Sequence, residues 1–290
     1  MVAVISILAF VGSIHVDEAQ GPIREWAAAP RAKVNGGAKV NGATTVVPAR
    51  AFRMPVAVGA GLTHRGKLRD HNEDSILTDP SGQLWAVADG MGGYQHGEVA
   101  SDIVIDCLEA IGDGDNPADA LGQQLALANA LVRERAAEPG MGQMGSTVVA
   151  LFIVRAVAHL AWAGDSRAYL LRGRHLRLLT RDHTVVQDLV DRGELSPDDA
   201  QKHPESHIVT RAIGGGPEIE VDQLSLPLTA GDRLMLCSDG LPRCVYEQTM
   251  EAVLIAAPSA EAACAGLLRE ALDNGAPDNV SVIVIDLIEA

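Results

Sequence analysis

From Pro55 onward, short apolar runs alternate with amphipathic stretches, and the two periods separate cleanly. Leu84–Ala88 is a continuous apolar run that stops at Asp89-Gly90, the pattern of a strand covered on both faces. Between Gly97 and Ile111, apolar residues fall at Val99, Ile103, Val104, Cys107, Leu108 and Ile111, one face of a helix. Asn116-Pro117 supplies a cap and a first-turn proline for a second helix with the stripe Leu121, Leu125, Ala128 and Val132. Thr147–Val154, Ala158–Ala163 and Ala168–Leu171 read as strands spaced closely enough to pair antiparallel. Leu224–Leu228 and Arg233–Cys237 add two more. Ser196-Pro197 opens a short capped helix, Ala260–Leu272 is an amphipathic helix, and Val280–Leu287 is apolar on both faces. Two sheets packed together with helices outside them would satisfy all these faces, an α+β arrangement whose strand order the pattern does not give.

The first 54 residues break this pattern. Val2 to Val11 is apolar but too short to span a bilayer, and no Lys or Arg precedes it as a signal peptide requires. Ala27 to Arg53 is rich in Gly, Ala, Asn and Pro and contains the tandem KVNGGAKVNG. Residues 1–54 are therefore expected to be a low-complexity or disordered tail, and 55–290 the folded domain. The tail carries six basic and three acidic side chains, so the domain carries −18 of the total −15.

That acidity argues against nucleic acid as a partner, and aromatics at 3% leave little for base stacking. No stable membrane insertion is expected. The four cysteines form no CxxC pair and read as reduced thiols in a cytoplasmic protein.

Four aspartates fall where an apolar strand begins or runs out: Asp89, Asp165, Asp239 and Asp278. Three adjoin glycine, which lets the backbone turn and a ligand approach. Any one of them alone is an ordinary turn residue. Gathered together they would repel, and a hard divalent ion such as Mg²⁺ or Mn²⁺ is the natural partner of an oxygen-only set. The hexapeptide Arg69-Asp70-His71-Asn72-Glu73-Asp74 sets a phosphate-binding guanidinium beside two acids.

Arg69-x-x-Asn72-Glu73-Asp74, Val87-Ala88-Asp89-Gly90-Met91-Gly92-Gly93, Gly145-Ser146-Thr147, Ala163-Gly164-Asp165-Ser166-Arg167, Ser238-Asp239-Gly240 and Asp278-Asn279-Val280-Ser281 follow one another in order. In this they resemble the PPM (protein phosphatase 2C-like) metal-dependent serine/threonine phosphatases, bacterial branch, over about residues 58–288. The resemblance implies a four-layer α-β-β-α sandwich of two antiparallel sheets flanked by helices. It implies two core metal ions and a possible third, with Asp89 bridging the pair and Gly90 offering its carbonyl. Asp239 and Asp278 would complete the first ion. Glu73 would reach the second, Asp74 would orient metal-bound waters, and Asp165 would share the third with Asp239. Arg69 matches the phosphate-binding arginine.

The implied activity is hydrolysis of phosphoserine and phosphothreonine in proteins, opposing a Ser/Thr kinase. Many eukaryotic relatives carry a histidine proposed as proton donor directly after the DG pair; here Met91 stands there, which leaves that role to a metal-bound water. His183 and His203 lie in a segment, about 180–215, that resembles the family's flap; both are candidates for substrate contact, against a structural role. Two other functions compete: a catalytically inactive binding module and a phosphatase of small esters.

Overall fold

The structure, a computed structural model, describes residues 54–92, 96–112, 116–200 and 203–290. The expected tail, save Met54, and Gly93 of the glycine motif lie outside them. In chain order the elements are β1 (Val56–His64), β2 (Asp74–Thr78), β3 (Leu84–Gly92), α1 (Gly97–Glu109), α2 (Pro117–Ala136), β4 (Met144–Val154), β5 (Val157–Ala163), β6 (Arg167–Arg172) and β7 (His175–Leu178). They continue with α3 (Val185–Asp191), α4 (Pro197–Ala200), β8 (Asp222–Pro227), β9 (Arg233–Cys237), α5 (Gly240–Cys244), α6 (Glu247–Ala256), α7 (Ala260–Asp273) and β10 (Val280–Ile288).

The strands form two five-stranded sheets, ordered β1-β10-β9-β6-β7 and β2-β3-β4-β5-β8, with every described pairing antiparallel. Side-chain alternation along each strand divides the interior into three cores. Trp85, Val87, Val149, Leu151, Leu234, Leu236, Ile283 and Ile285 meet between the sheets. Ala86, Ala88, Val148 and Ala150 face the opposite way, under the buried stripe Leu121, Leu125, Ala128 and Val132 of α2 and under Val104 and Leu108 of α1. Met235, Cys237, Val282 and Val284 lie under Cys264, Leu267 and Ala271 of α7 and Met250 and Leu254 of α6. Four layers, α-β-β-α, result.

Several elements depart from the sequence pattern. Asn116 precedes α2 but its side chain donates to Asp119 at 2.8 Å instead of capping a backbone N–H. β3 runs four residues beyond Ala88, because β4 continues to pair with Gly90, Met91 and Gly92. Asp89 is thus a strand residue; what begins beside it is β2, whose first residue, Asp74, is its cross-strand partner. β1, β2, β7, α3, α5 and α6 are short, glycine-rich or half-exposed, so neither period stands out in them.

Candidate active site

One end of the sandwich, where the inward faces of β2, β3, β9 and β10 run out, opens into a cleft of about 820 Å³. Asp89 shares the inward parity of Trp85 and Val87 and lines this cleft, as do Arg69, Glu73, Asp165, Asp239 and Asp278. Residues more than two hundred positions apart in sequence therefore converge there.

Asp74 joins the two sheets. Its Oδ2 accepts hydrogen bonds from Ser281 Oγ at 2.6 Å and Ser238 Oγ at 2.8 Å, both on the opposite sheet's side of the interface. Its Oδ1 is buried with no partner. Burial, followed by the nearby charges of Asp239 and Asp278 and against the two serine bonds, pushes this carboxyl up to about 7. Asp165 follows Gly164, whose backbone (φ 110°) is pressed against Thr147. Burial and then the charges of Asp239 and Asp182 push Asp165 up to about 8, with Arg243 opposing. Asp89 is raised well above the carboxylate range by burial first, then by Asp74, Asp239, Asp165 and Asp278. Burial also raises Asp239, with Arg243 lowering it, and raises Glu73.

These carboxylates are close enough to raise one another, yet among the described residues no three acid, His or Cys side chains stand at ready-made ligating distance. Arginines hold their oxygens instead. Arg69 grips Asp278 with two contacts, Nε to Oδ1 at 2.9 Å and Nη2 to Oδ2 at 3.0 Å. Arg243 pairs with both Asp239 and Asp278. An all-oxygen donor set, a concentration of buried negative charge and the bare Asp74 Oδ1 all suit hydrated divalent cations.

The backbone fits this cleft closely. A Cβ on Gly90 would lie 2.1 Å from Gly97 O, and one on Gly240 1.8 Å from Asn279 O. Asn279, which sequence reasoning left without a role, shapes the loop before Asp74. Its Oδ1 accepts from Glu73 N–H at 2.8 Å, and its Nδ2 donates to His71 O at 2.9 Å and Arg65 O at 3.0 Å. The Asp-Asn-x-Ser pattern was visible; its long-range bonds were not.

The structure does not bring His183 to the cleft. Its ring is 2% exposed, stacks on Trp162 with centroids 6.4 Å apart, accepts Gly164 N–H at Nδ1 (3.1 Å) and sets Nε2 3.3 Å from Asp222. The substrate-contact expectation gives way to an anchoring position, because a ring with both nitrogens occupied has nothing left to offer a substrate. His203 accepts the Glu205 N–H at 3.2 Å and is likewise absent from the cleft wall. From the same segment, His207 and Val209 do line it; Val209 belongs to the stretch Ile208–Gly214, which also resembles the family, whereas His207 carries no such signal.

Residues 62–189 match the family model described as Protein phosphatase 2C. The Serine/threonine phosphatase stp of Listeria monocytogenes serotype 4b is 34% identical over 244 residues, covering 77% of this chain and 93% of that protein. The chain belongs to the protein phosphatase 2C family. The Serine/threonine protein phosphatase PstP of Mycobacterium tuberculosis is 38% identical over 235 residues, 79% of this chain. The match spans just under half of that relative's length, 45%. A crystal structure of M. tuberculosis PstP superposes with a TM-score of 0.76 at 37% identity, over 81% of this chain and all of that one. The PstP catalytic domain in complex with two manganese ions gives 0.74 at 36% identity, again over 81% of this chain and all of that one. The phosphatase fold and its acidic cleft thus belong to a metal-dependent family, and no described helix is long and apolar enough to cross a membrane.

Proposed function

We propose that this chain is a metal-dependent protein phosphatase that hydrolyses phosphoserine and phosphothreonine esters. The observation that carries the reading is the meeting of Glu73, Asp89, Asp165, Asp239, Asp278 and a bidentate arginine in one cleft, beside a buried Asp74 oxygen with no protein partner. Residues 55–290 would form the phosphatase domain, with 1–54 an appendage. Phosphorylated proteins and an opposing Ser/Thr kinase are the partners implied, and the cytoplasm the compartment.

In this reading Asp89 and the Gly90 carbonyl would lie between two ions, Mn²⁺ or Mg²⁺. Asp239 and Asp278 would complete one, Glu73 would face the other, and Asp165 with Asp239 would hold a third. When bound, such ions lower the pKa of water and supply hydroxide near neutral pH.

The chain's own groups do the rest. Asp74, fixed by Ser238 and Ser281 through one oxygen, keeps the other free of protein partners and would orient water with it. Arg69 is half exposed, so it can leave Asp278 for the phosphate and hold two of its oxygens. Met91 lines the cleft but has no proton to give the leaving oxygen. No cysteine takes part: the four are free, none lines the cleft, and burial pushes Cys237 and Cys264 up to about 12.

Dephosphorylation of a phosphothreonine peptide, first in chelator and then with Mn²⁺ or Mg²⁺, tests the proposal. Activity is expected only with metal and is abolished in a folded Asp239→Asn variant. Folded protein that is inert in every metal would point to a binding module. Turnover of small esters but not of peptides would reassign the substrate.

A further inference from the structure

The mechanism leaves the second arginine of the cleft, Arg243, without a task. Arg243 sits on the one-turn helix α5, four residues after Asp239. Its Nη2 contacts Asp239 Oδ2 across that turn, and its Nη1 lies 2.9 Å from Asp278 Oδ2. The guanidinium therefore spans two carboxylates from different strand ends, 39 residues apart by their numbering. These are the two acids that, on the proposed function, complete a single metal ion.

The arrangement is built in. Gly240 at the start of α5 lies so near the Asn279 carbonyl that no side chain would fit between them, and Asn274 Nδ2 bonds the Cys244 carbonyl at its end. The Asp239 and Asp278 side chains are largely buried, while that of Arg243 is about one third exposed. Only the arginine has room to swing away. Asp278 Oδ2 is also held by Arg69, so removing Arg243 would not leave this carboxylate bare.

Resting on the phosphatase reading, we propose that Arg243 is an internal competitor for the metal. Its guanidinium bridges Asp239 and Asp278 in place of a divalent cation, and it must unhook before an ion can bind both. The residue thus lowers metal affinity and steadies the metal-free cleft. A fork of donors at fixed spacing can link two carboxylates, whereas an ammonium is a single point charge.

The test uses the full chain, stripped with chelator and titrated with Mn²⁺ by calorimetry, beside thermal melting of the metal-free protein. Arg243→Gln is expected to tighten Mn²⁺ binding about tenfold, the equivalent of one charge-assisted contact released. It is also expected to melt earlier without metal. Arg243→Lys, which keeps the charge but not the fork, should also tighten binding, by less. Folded Arg243→Gln that binds Mn²⁺ as the parent does, or more weakly, overturns the competition. Arg243→Lys indistinguishable from the parent while the glutamine variant tightens would overturn the bridge and leave only net charge. Failure of the phosphatase reading looks different: the unaltered chain would then not bind Mn²⁺ at all, or would bind it and hydrolyse no phosphopeptide.

Discussion

Asp74 offers one oxygen to two serines and keeps the other bare, and that asymmetry suits a residue that must be fixed and yet available. The same burial has a thermodynamic sign. Asp74 and Asp165 sit near 7 and 8 in the folded, metal-free protein against an ordinary value of 3.8. The folded state holds these protons to higher pH than the unfolded chain does. Their contribution to stability is complete below about pH 4 and is lost as pH climbs through 7 and 8. Metal-free protein melted across that range should lose stability as pH rises, and Asp165→Asn should flatten the loss. A variant with the parent's slope would show that this carboxyl is already ionised. At this scale the acids themselves were legible, since acid-glycine pairs at strand ends are a local pattern. The hold of Arg69 and Arg243 on Asp278, and the bracing by Asn279, were not, because sequence separations of 35 to 209 carry no local signal.

Among the elements, those apolar on both faces were the readable ones. β4, β5, β9 and β10 lie in the central part of the sheets, and each was found within a few residues of its ends. β1 (VAVGAGLTH), half exposed at a sheet edge, and the four-residue β7 were missed because an edge strand needs little burial. The segment after β7 is pinned at both ends. His183 bonds Gly164 by ring and by backbone, and Ile213 and Ser146 exchange two backbone bonds of 2.8 and 3.0 Å. His183→Ala should cost about 2–4 kcal/mol, the range for deleting a buried, hydrogen-bonded ring. A lowered denaturant midpoint would register that loss. An unchanged midpoint with a raised KM for phosphopeptide would instead return this histidine to substrate contact.

For the molecule as a whole, the apolar periods were enough to call for two sheets with outer helices, and the ordered acidic motifs supplied the rest of the architecture through resemblance. The order of strands came only from the structure, because nothing local tells β10 that its neighbours are β1 and β9. The charge contrast between residues 1–54 and the remainder is a whole-chain property too. Removing residues 1–50 is expected to leave phosphopeptide turnover and the melting temperature unchanged. A truncated chain that fails to fold, or that loses turnover while folded, would make the segment part of the working enzyme.

The pairing of β1 with β10 has a consequence for how such a molecule comes into being. Thr63 meets Ser281 at a sequence separation of 218, and Asp278 stands just before the same late strand. A chain growing on the ribosome has exposed β1, β2 and β3 long before β10 exists to cover the first or Asp278 to close the cleft. Contacts so far apart in sequence form slowly. Until that last strand emerges, a nascent polypeptide has most of the acids but no cleft to gather them. The capacity to capture a cation, and with it any power to erase a phosphorylation mark, arrives late and all at once.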